Sequence, residues 1–402
     1  MGLYSGMVMT TTTNAAQKKP SFAPQLTRKQ PHGVAPIFLL LSKLGTGTAA
    51  QVKHGYWSET VPFISLSVTT AAVAGDTTLV VADSSQCAVG QVFQNPATLE
   101  NVLVTGITDA THVAVTRGFG VTAAAAIALN QSLYMIGTAF EEASTLPTSQ
   151  RMQQDYIDNY TQIFRSAWSI SGTAMSEQFW EEAGGNPISK DKTDAAMFHL
   201  MDIERAILFG QKYMGTRNGK PIHTMDGIVS MLKQQAPANV TAAGGTTNYT
   251  QLEAALDPCF NTVVAGTPNE RIVCTGAKGL KVVNSIGRLS GQYQLLQDQS
   301  MFGLRFQSFQ TTRGTFHLLE HPMFNSNPDW SAYLLALDLT QLRVMYLANR
   351  KSLHKYWGAQ GELHTDNGID AQGGVFTSEL TLESRNPSSC ALITGLTAGA
   401  AG

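Results

Sequence analysis

The sequence predicts an α+β fold, with helices and strands mixed rather than strictly alternating. Three observations predict it. Short β-rich runs fill residues 59–137, a long helical pattern follows Pro187, and apolar strands and helices intermingle through the rest of the chain. The 402 residues suit two or three domains, and a hydrophobic content of 43% is enough for a core, which excludes wholesale disorder. Charged residues are only 14%, below the roughly 25% of an ordinary soluble domain, which suits faces covered by other subunits. The formal charge of −2 is far from the strongly basic balance of a dedicated nucleic-acid binder.

Residues 1–58 carry Lys18, Lys19, Arg28, Lys29, Lys43 and Lys53 and no acid. With Pro20, Pro24, Pro31 and Pro36 and no sustained periodicity, they read as an extended arm, ordered where a neighbour supplies a surface. The longest apolar run, Val34 to Leu41, is far short of a membrane span of about 20 residues. Met1 to Asn14 lacks the charge and apolar core of a signal peptide, so the chain reads as cytosolic at synthesis. The sequons at Asn159, Asn239 and Asn248 then mean little.

From Glu59 to Gly137 there are five acids (Glu59, Asp76, Asp83, Glu100, Asp109) and one base, Arg117. Candidate strands are Thr77–Ala82, Gln91–Phe93, Asn101–Ile107, His112–Arg117 and Ser132–Ile136, punctuated by Gly75-Asp76, Asp109-Ala110 and Gly118-Phe119-Gly120. Strands this short and evenly spaced predict a small antiparallel sandwich or barrel of about 75 residues, inserted into a larger unit.

A strand is expected from Thr161 to Thr173. Asp191 is the expected cap of a helix over 191–213, with Met197, Leu200, Met201, Ile207 and Leu208 on one face and Gly215 as a stop. About 23 residues at 1.5 Å each make a strut of about 35 Å. A second helix starts at Asn248 with Gln251 in a capping box and a break near Asp257 before Pro258. Arg271–Cys274 reads as a strand, Lys278–Ile286 as a helix, and Leu304–Gln310 with Thr315–Leu319 as a hairpin turning at Arg313-Gly314. Tyr333–Leu347 offers one or two strands. Val375–Glu383 and Cys390–Ile393 read as a closing hairpin around Asn386-Pro387-Ser388.

No credible active site emerges. His317-Leu318-Leu319-Glu320-His321 matches H-x-x-E-H, but that zinc chemistry needs both histidines on one helix face. In a strand, residues four apart lie about 13 Å from each other, too far to share a metal. Glu141-Glu142 and Glu181-Glu182 are adjacent carboxylates that point different ways, with no nucleophile nearby, and read as solvated or interface charge. No P-loop, no dinucleotide fingerprint and no nucleophile elbow occurs; Gly276-Ala277-Lys278-Gly279 reads as a loop opening a helix. Cys87, Cys259, Cys274 and Cys390 lie far apart and read as buried reduced thiols. The expectation is no catalytic residue, no cofactor and no metal.

The order of parts resembles the Hong Kong-97-fold major capsid proteins of tailed bacteriophages, in the branch with a β-domain inserted in the extended loop. Carrying the resemblance are Gln162-Ile163-Phe164, Ser169-Ile170-Ser171-Gly172-Thr173, Glu204 through Gly210, Met225-Asp226-Gly227-Ile228, and Ser378-Glu379-Leu380-Thr381-Leu382-Glu383 with Asn386-Pro387. It implies an N-terminal arm over 1–58 and an extended loop over 59–182, with its insertion at about 61–137. A peripheral domain with a spine helix would follow at 183–239, an axial domain at 240–345 and the rest of the peripheral domain at 346–402. The implied partners are copies of the chain, as pentamers and hexamers in a shell. Scaffolding, portal and decoration proteins are further partners; packaged DNA would be touched non-specifically, and no membrane would be involved. Some members lock their shells through a lysine in the extended loop, but no lysine lies between Lys53 and Lys190, so contacts here are expected to be non-covalent. Complementary charge between the basic arm and the acidic excursion of adjacent subunits is a further expectation. A tail-tube or decoration protein, and more remotely a metallopeptidase, are the alternatives.

Overall fold

Pro36 in the first turn, then Ile37, Leu40 and Leu41 at helical spacing, make Pro36–Leu44 an amphipathic helix, α1, with those three side chains buried. In the computed structural model, residues 34–400 are described, apart from 60, 62–63, 148, 153, 177–186, 263, 265, 291–295, 302–303 and 358–369. The expectation for residues 1–33, and Glu181-Glu182, lie outside the described residues. The arm is corrected from residue 34 onward. After α1, strand β1 (Thr46–Ala49) joins a sheet in parallel with the strand Leu342–Leu347, beginning Thr46↔Val344. Apolar burial within the same chain supplies the surface that the arm was expected to find on a neighbour.

The chain divides into two compact units, one made of residues up to Tyr56 with Ile157–Gly402, the other Trp57–Tyr156. The smaller is an antiparallel sheet of β3 (Ser65–Ser67), β4 (Thr78–Val80), β5 (Gln91–Gln94), β6 (Asn101–Ile107), β7 (His112–Thr116) and β8 (Ser132–Thr138), in the order β3-β8-β5-β6-β7-β4. Alternation puts Leu79, Phe93, Val102, Val104, Val113, Val115 and Leu133 on one buried face. For β4 to β8 the expected bounds hold to within two residues at each end, whereas β3 was not expected.

Strand β2 (Lys53–Ser58) pairs with β9 (Asp155–Tyr160), where the chain passes from one unit to the other. Strand β10 (Gln162–Ser171) runs into a short helix α2 (Gly172–Ser176), and α3 spans Pro187–Phe209. The 23-residue length of α3 is as expected, but the helix is shifted four residues toward the N-terminus: Pro187 opens it, and Asp191 lies inside rather than at the cap. It ends before Gly210, where a Cβ would meet Met225 O at 2.7 Å, so the chain turns away. Gly215 lies in a hairpin of β11 (Tyr213–Arg217) and β12 (Lys220–Thr224). Then come α4 (Ile228–Gln235), β13 (Val240–Thr247) and α5 (Tyr249–Leu256). The capping box on α5 forms as read: Gln251 N–H donates to Asn248 Oδ1 at 2.9 Å, and Asn248 N–H to Gln251 Oε1 at 3.1 Å. A 3-10 turn over Asp257–Phe260 absorbs Pro258.

Next come β14 (Glu270–Thr275), α6 (Ala277–Ser290), β15 (Leu296–Met301), β16 (Leu304–Gln310), β17 (Thr315–Glu320), β18 (Leu334–Leu337), β19 (Leu342–Leu347) and β20 (Leu353–Trp357). Strands β21 (Ala371–Ser384) and β22 (Ala391–Gly399) end the described chain. They do not form a hairpin. A 3-10 turn at Pro387–Ser389 carries the chain from one sheet to another. Strand β21 pairs with β10, β19 and β20, whereas β22 lies between β13 and β18 in the seven-stranded sheet β13-β22-β18-β14-β17-β16-β15.

The central strands of that sheet are buried on both faces, which is why β18 reads Leu-Leu-Ala-Leu without a polar break. Cys274, Leu319, Leu335, Leu337 and Leu392 face one core with α1, α3 and α4; Val273, Phe316, Leu318, Leu334, Ala336 and Ile393 face another with α5 and α6. Fully burying each such leucine or phenylalanine contributes about 1.5–3 kcal/mol.

Candidate functional site

Helix α1 has no side-chain cap of its own; Ala35 cannot supply one. The missing acceptor comes from α3. Glu204 takes Ile37 N–H on Oε1 at 2.9 Å and Phe38 N–H on Oε2 at 2.7 Å. The carboxylate therefore sits at the positive end of α1, satisfying two of its orphan donors. Its Oε1 also meets His321 Nε2 at 2.7 Å, and both side chains are fully buried. Met323 N–H donates to His321 Nδ1 at 3.2 Å, so Nδ1 is an acceptor and the ring proton lies on Nε2, directed at Glu204. One carboxylate thus joins the N-terminal segment, the long helix and the end of β17.

This arrangement disposes of the H-x-x-E-H match. His321 is consumed by Glu204, while His317 on β17 places Nδ1 2.9 Å from Ser308 Oγ and Nε2 3.6 Å from Glu270. Among the described residues no group of three potential ligands could hold a metal. The glycine turn before α6 is occupied as well: Asn325 Oδ1 takes Ala277 N–H at 2.6 Å, and Ser331 Oγ takes Lys278 N–H at 3.2 Å. Those amides are spent on protein rather than left for a phosphate. The four cysteines are buried and free, and burial pushes the Cys87 and Cys390 thiols up to about 11. Asn159 and Asn239 are buried donors to backbone carbonyls, poor positions for any glycan.

Polar residues that hydrophobic periodicity passes over hold much of the fold. The buried stripe of α3 is Ala195, His199, Ile203, Glu204, Ile207 and Leu208, rotated from the expected face, with Leu200 at 36% exposure. His199 meets Ser378 Oγ at 2.8 Å, and burial depresses its pKa. Arg271, 1% exposed, donates to Ser389 O at 3.0 Å and to Pro268 O and Glu270 O at 2.8 Å, with Asp338 at 3.5 Å. In the smaller unit Arg117 clasps Glu100 through Nε at 2.7 Å and an NH2 at 2.9 Å, and also reaches Val73 O and Ala125 O. Glu141-Glu142 are exposed, as expected.

What is left for function is surface. The Trp57–Tyr156 unit holds eight acids and two arginines, a net of −6, so with −2 for the whole chain the remainder carries +4. Exposed apolar side chains concentrate there too, including Trp57 at 67%, whose ring meets that of Tyr156 in a tilted contact at a centroid distance of 5.1 Å. A surface of this kind is suited to contact with other protein.

The model of the family described as SU10 major capsid protein matches residues 7–397. The chain belongs to that family. A major capsid protein of Pseudomonas phage PaMx41 is 36% identical over 410 residues, covering 98% of this chain and 97% of its own. As a major capsid protein this chain is a structural component of a phage virion rather than an enzyme, so the metallopeptidase and tail-tube alternatives fall away. Among solved structures, the capsid of a native GTA particle matches at 8% identity and a TM-score of 0.47, over 96% of this chain and 98% of that one. Microbacterium phage Oxtober96 matches at 9% and 0.46, over 96% and 97%.

Proposed function

We propose that copies of this major capsid protein assemble through non-covalent contacts into an icosahedral head enclosing double-stranded DNA, with the Hong Kong-97 layout. In this reading α3 is the spine helix of a peripheral domain, Trp57–Tyr156 lies in the extended loop as its inserted β-domain, and the seven-stranded sheet is the body of the axial domain. Pentamers and hexamers are the building units; scaffolding, portal and decoration proteins are the further partners, and packaged DNA is touched non-specifically. The supporting observation is the family match across residues 7–397.

The absence of lysine between Lys53 and Lys190 supports non-covalent closure. Individually modest contacts multiply in a closed lattice. Complementary charge between the basic residues 1–33 and the acidic Trp57–Tyr156 unit of an adjacent copy favours docking of one copy on the next, an effect that acts on rate and register more than on affinity. Light scattering and electron microscopy of the purified full chain test the reading. Closed particles of uniform size support it, and rods or a persistent small oligomer contradict it.

A further inference from the structure

The hairpin β11–β12 breaks a local rule. Its two-residue turn is well made, with Asn218 and Gly219 both left-handed at φ 52° and 71°, the pattern of a tight hairpin. Its base is clamped: Thr224 Oγ1 donates to Gln211 O at 2.6 Å, Lys212 N–H to Asp226 Oδ1 at 3.3 Å, and Gly227 N–H to Gly210 O at 3.0 Å. Yet directly across the turn Arg217 faces Lys220, and like charges placed opposite each other destabilise a ladder. No acid occurs from Tyr213 to Thr224, and neither cation forms an ion pair with a described residue. Tyr213 and Met214 at the base of the same hairpin are 58% and 61% exposed. A pair of strands on its own is marginal in water, and this hairpin holds exposed aromatic, sulfur and cationic groups whose charge no ion pair among the described residues offsets.

We propose that the β11–β12 hairpin is a docking tooth that seats on the anionic Trp57–Tyr156 module of a second copy; this rests on the capsid reading above. Charge supplies the partner: the module nets −6, whereas the hairpin carries Arg217 and Lys220 with no acid from Tyr213 to Thr224. Chemistry favours protein over nucleic acid, because exposed Tyr213 and Met214 on the same hairpin as Arg217 is the composition of a protein interface, whereas phosphate needs only the cations. The two cations steer the approach and Tyr213 with Met214 supply apolar contact once docked.

Single reversals, Arg217→Glu and Lys220→Glu, test this, because each turns the opposed like charges into an opposite pair. Thermal melting of the unassembled full-length variants is expected to stay level or rise. Shell assembly in the absence of DNA, followed by light scattering at low salt, is expected to slow at least about tenfold, with the gap to wild type closing as salt rises. Assembly equal to wild type overturns the proposal and leaves the DNA phosphate as the counterpart. A fall in melting temperature that accounts for the assembly loss overturns it as well, since the hairpin would then be merely structural. Failure of the capsid reading has a different signature: wild-type protein itself forms no shells.

Discussion

Glu204 and His321 meet at 2.7 Å between two fully buried side chains 117 residues apart, and the same carboxylate caps the first turn of α1. Among the described residues its hydrogen-bond partners are two amides and an imidazole N–H. Residues 34–49 are thereby fastened to the long helix of the same subunit.

Glu204→Gln is expected to destabilise the larger unit by about 1–3 kcal/mol, because an amide cannot accept from all three donors at once. Glu204→Ala is expected to cost more, adding a cavity to the lost bonds. Urea unfolding followed by circular dichroism measures both. A neutral Glu204→Gln would show that the cap contributes little.

Arg117→Met leaves Glu100 buried without its guanidinium and is expected to cost about 3–5 kcal/mol of the smaller unit's stability. Burial pushes the Glu100 carboxyl up, but Arg117 and the Ala125 and Gly118 amides outweigh it and hold the pKa below the usual carboxylate value. The folded state therefore binds its proton less readily than the unfolded state. The resulting stability is full above about pH 4.3 and is lost as pH falls through the folded pKa. Melting curves across pH 3–6 should show this slope in wild type and lose it in Arg117→Met.

His199 gives an acid limit at higher pH. Burial depresses its pKa, partly opposed by Asp202, so the folded state prefers the neutral ring. The unfolded chain then binds more protons, and stability rises with pH through about 6.5 and falls below it. His199→Gln, which can still bond Ser378 Oγ, should flatten the melting temperature between pH 5 and 7. An unchanged slope would assign the dependence elsewhere.

Gly227→Ala probes the close approach that ends α3. A Cβ there would lie 2.6 Å from Gly210 N and 2.7 Å from Ala206 O, both backbone atoms that cannot swing aside. A loss of about 1–3 kcal/mol is expected, as for overpacking elsewhere. Urea unfolding reads it directly, and a neutral result would mean that the 210–227 junction is soft.

Strands with clean alternation and helices with caps were legible: β6 spans Asn101–Ile107 as read, and α5 opens on the Asn248–Gln251 box. The run Val34–Leu41 was not, because eight apolar residues with a proline suggest a coil unless Pro36 is placed at the first helical position and Ile37, Leu40 and Leu41 are seen as one face. The role of Glu204 left no local signal, since its partners lie 166 and 167 residues upstream and 117 downstream. The closing hairpin was misread because a six-residue link ordinarily joins paired strands, and only the sheet-switching turn at Pro387–Ser389 shows otherwise. Surface function was visible as charge asymmetry along the chain, but the opposed Arg217 and Lys220 needed the hairpin register to be seen.

The central claim is that this polypeptide completes its apolar and charged surfaces only against copies of itself. Analytical ultracentrifugation of the purified full-length protein, titrated in concentration at low salt, measures that most directly. The account predicts a cooperative jump from subunits to one large closed species above a threshold concentration. A single small species whose sedimentation does not change with concentration would contradict it.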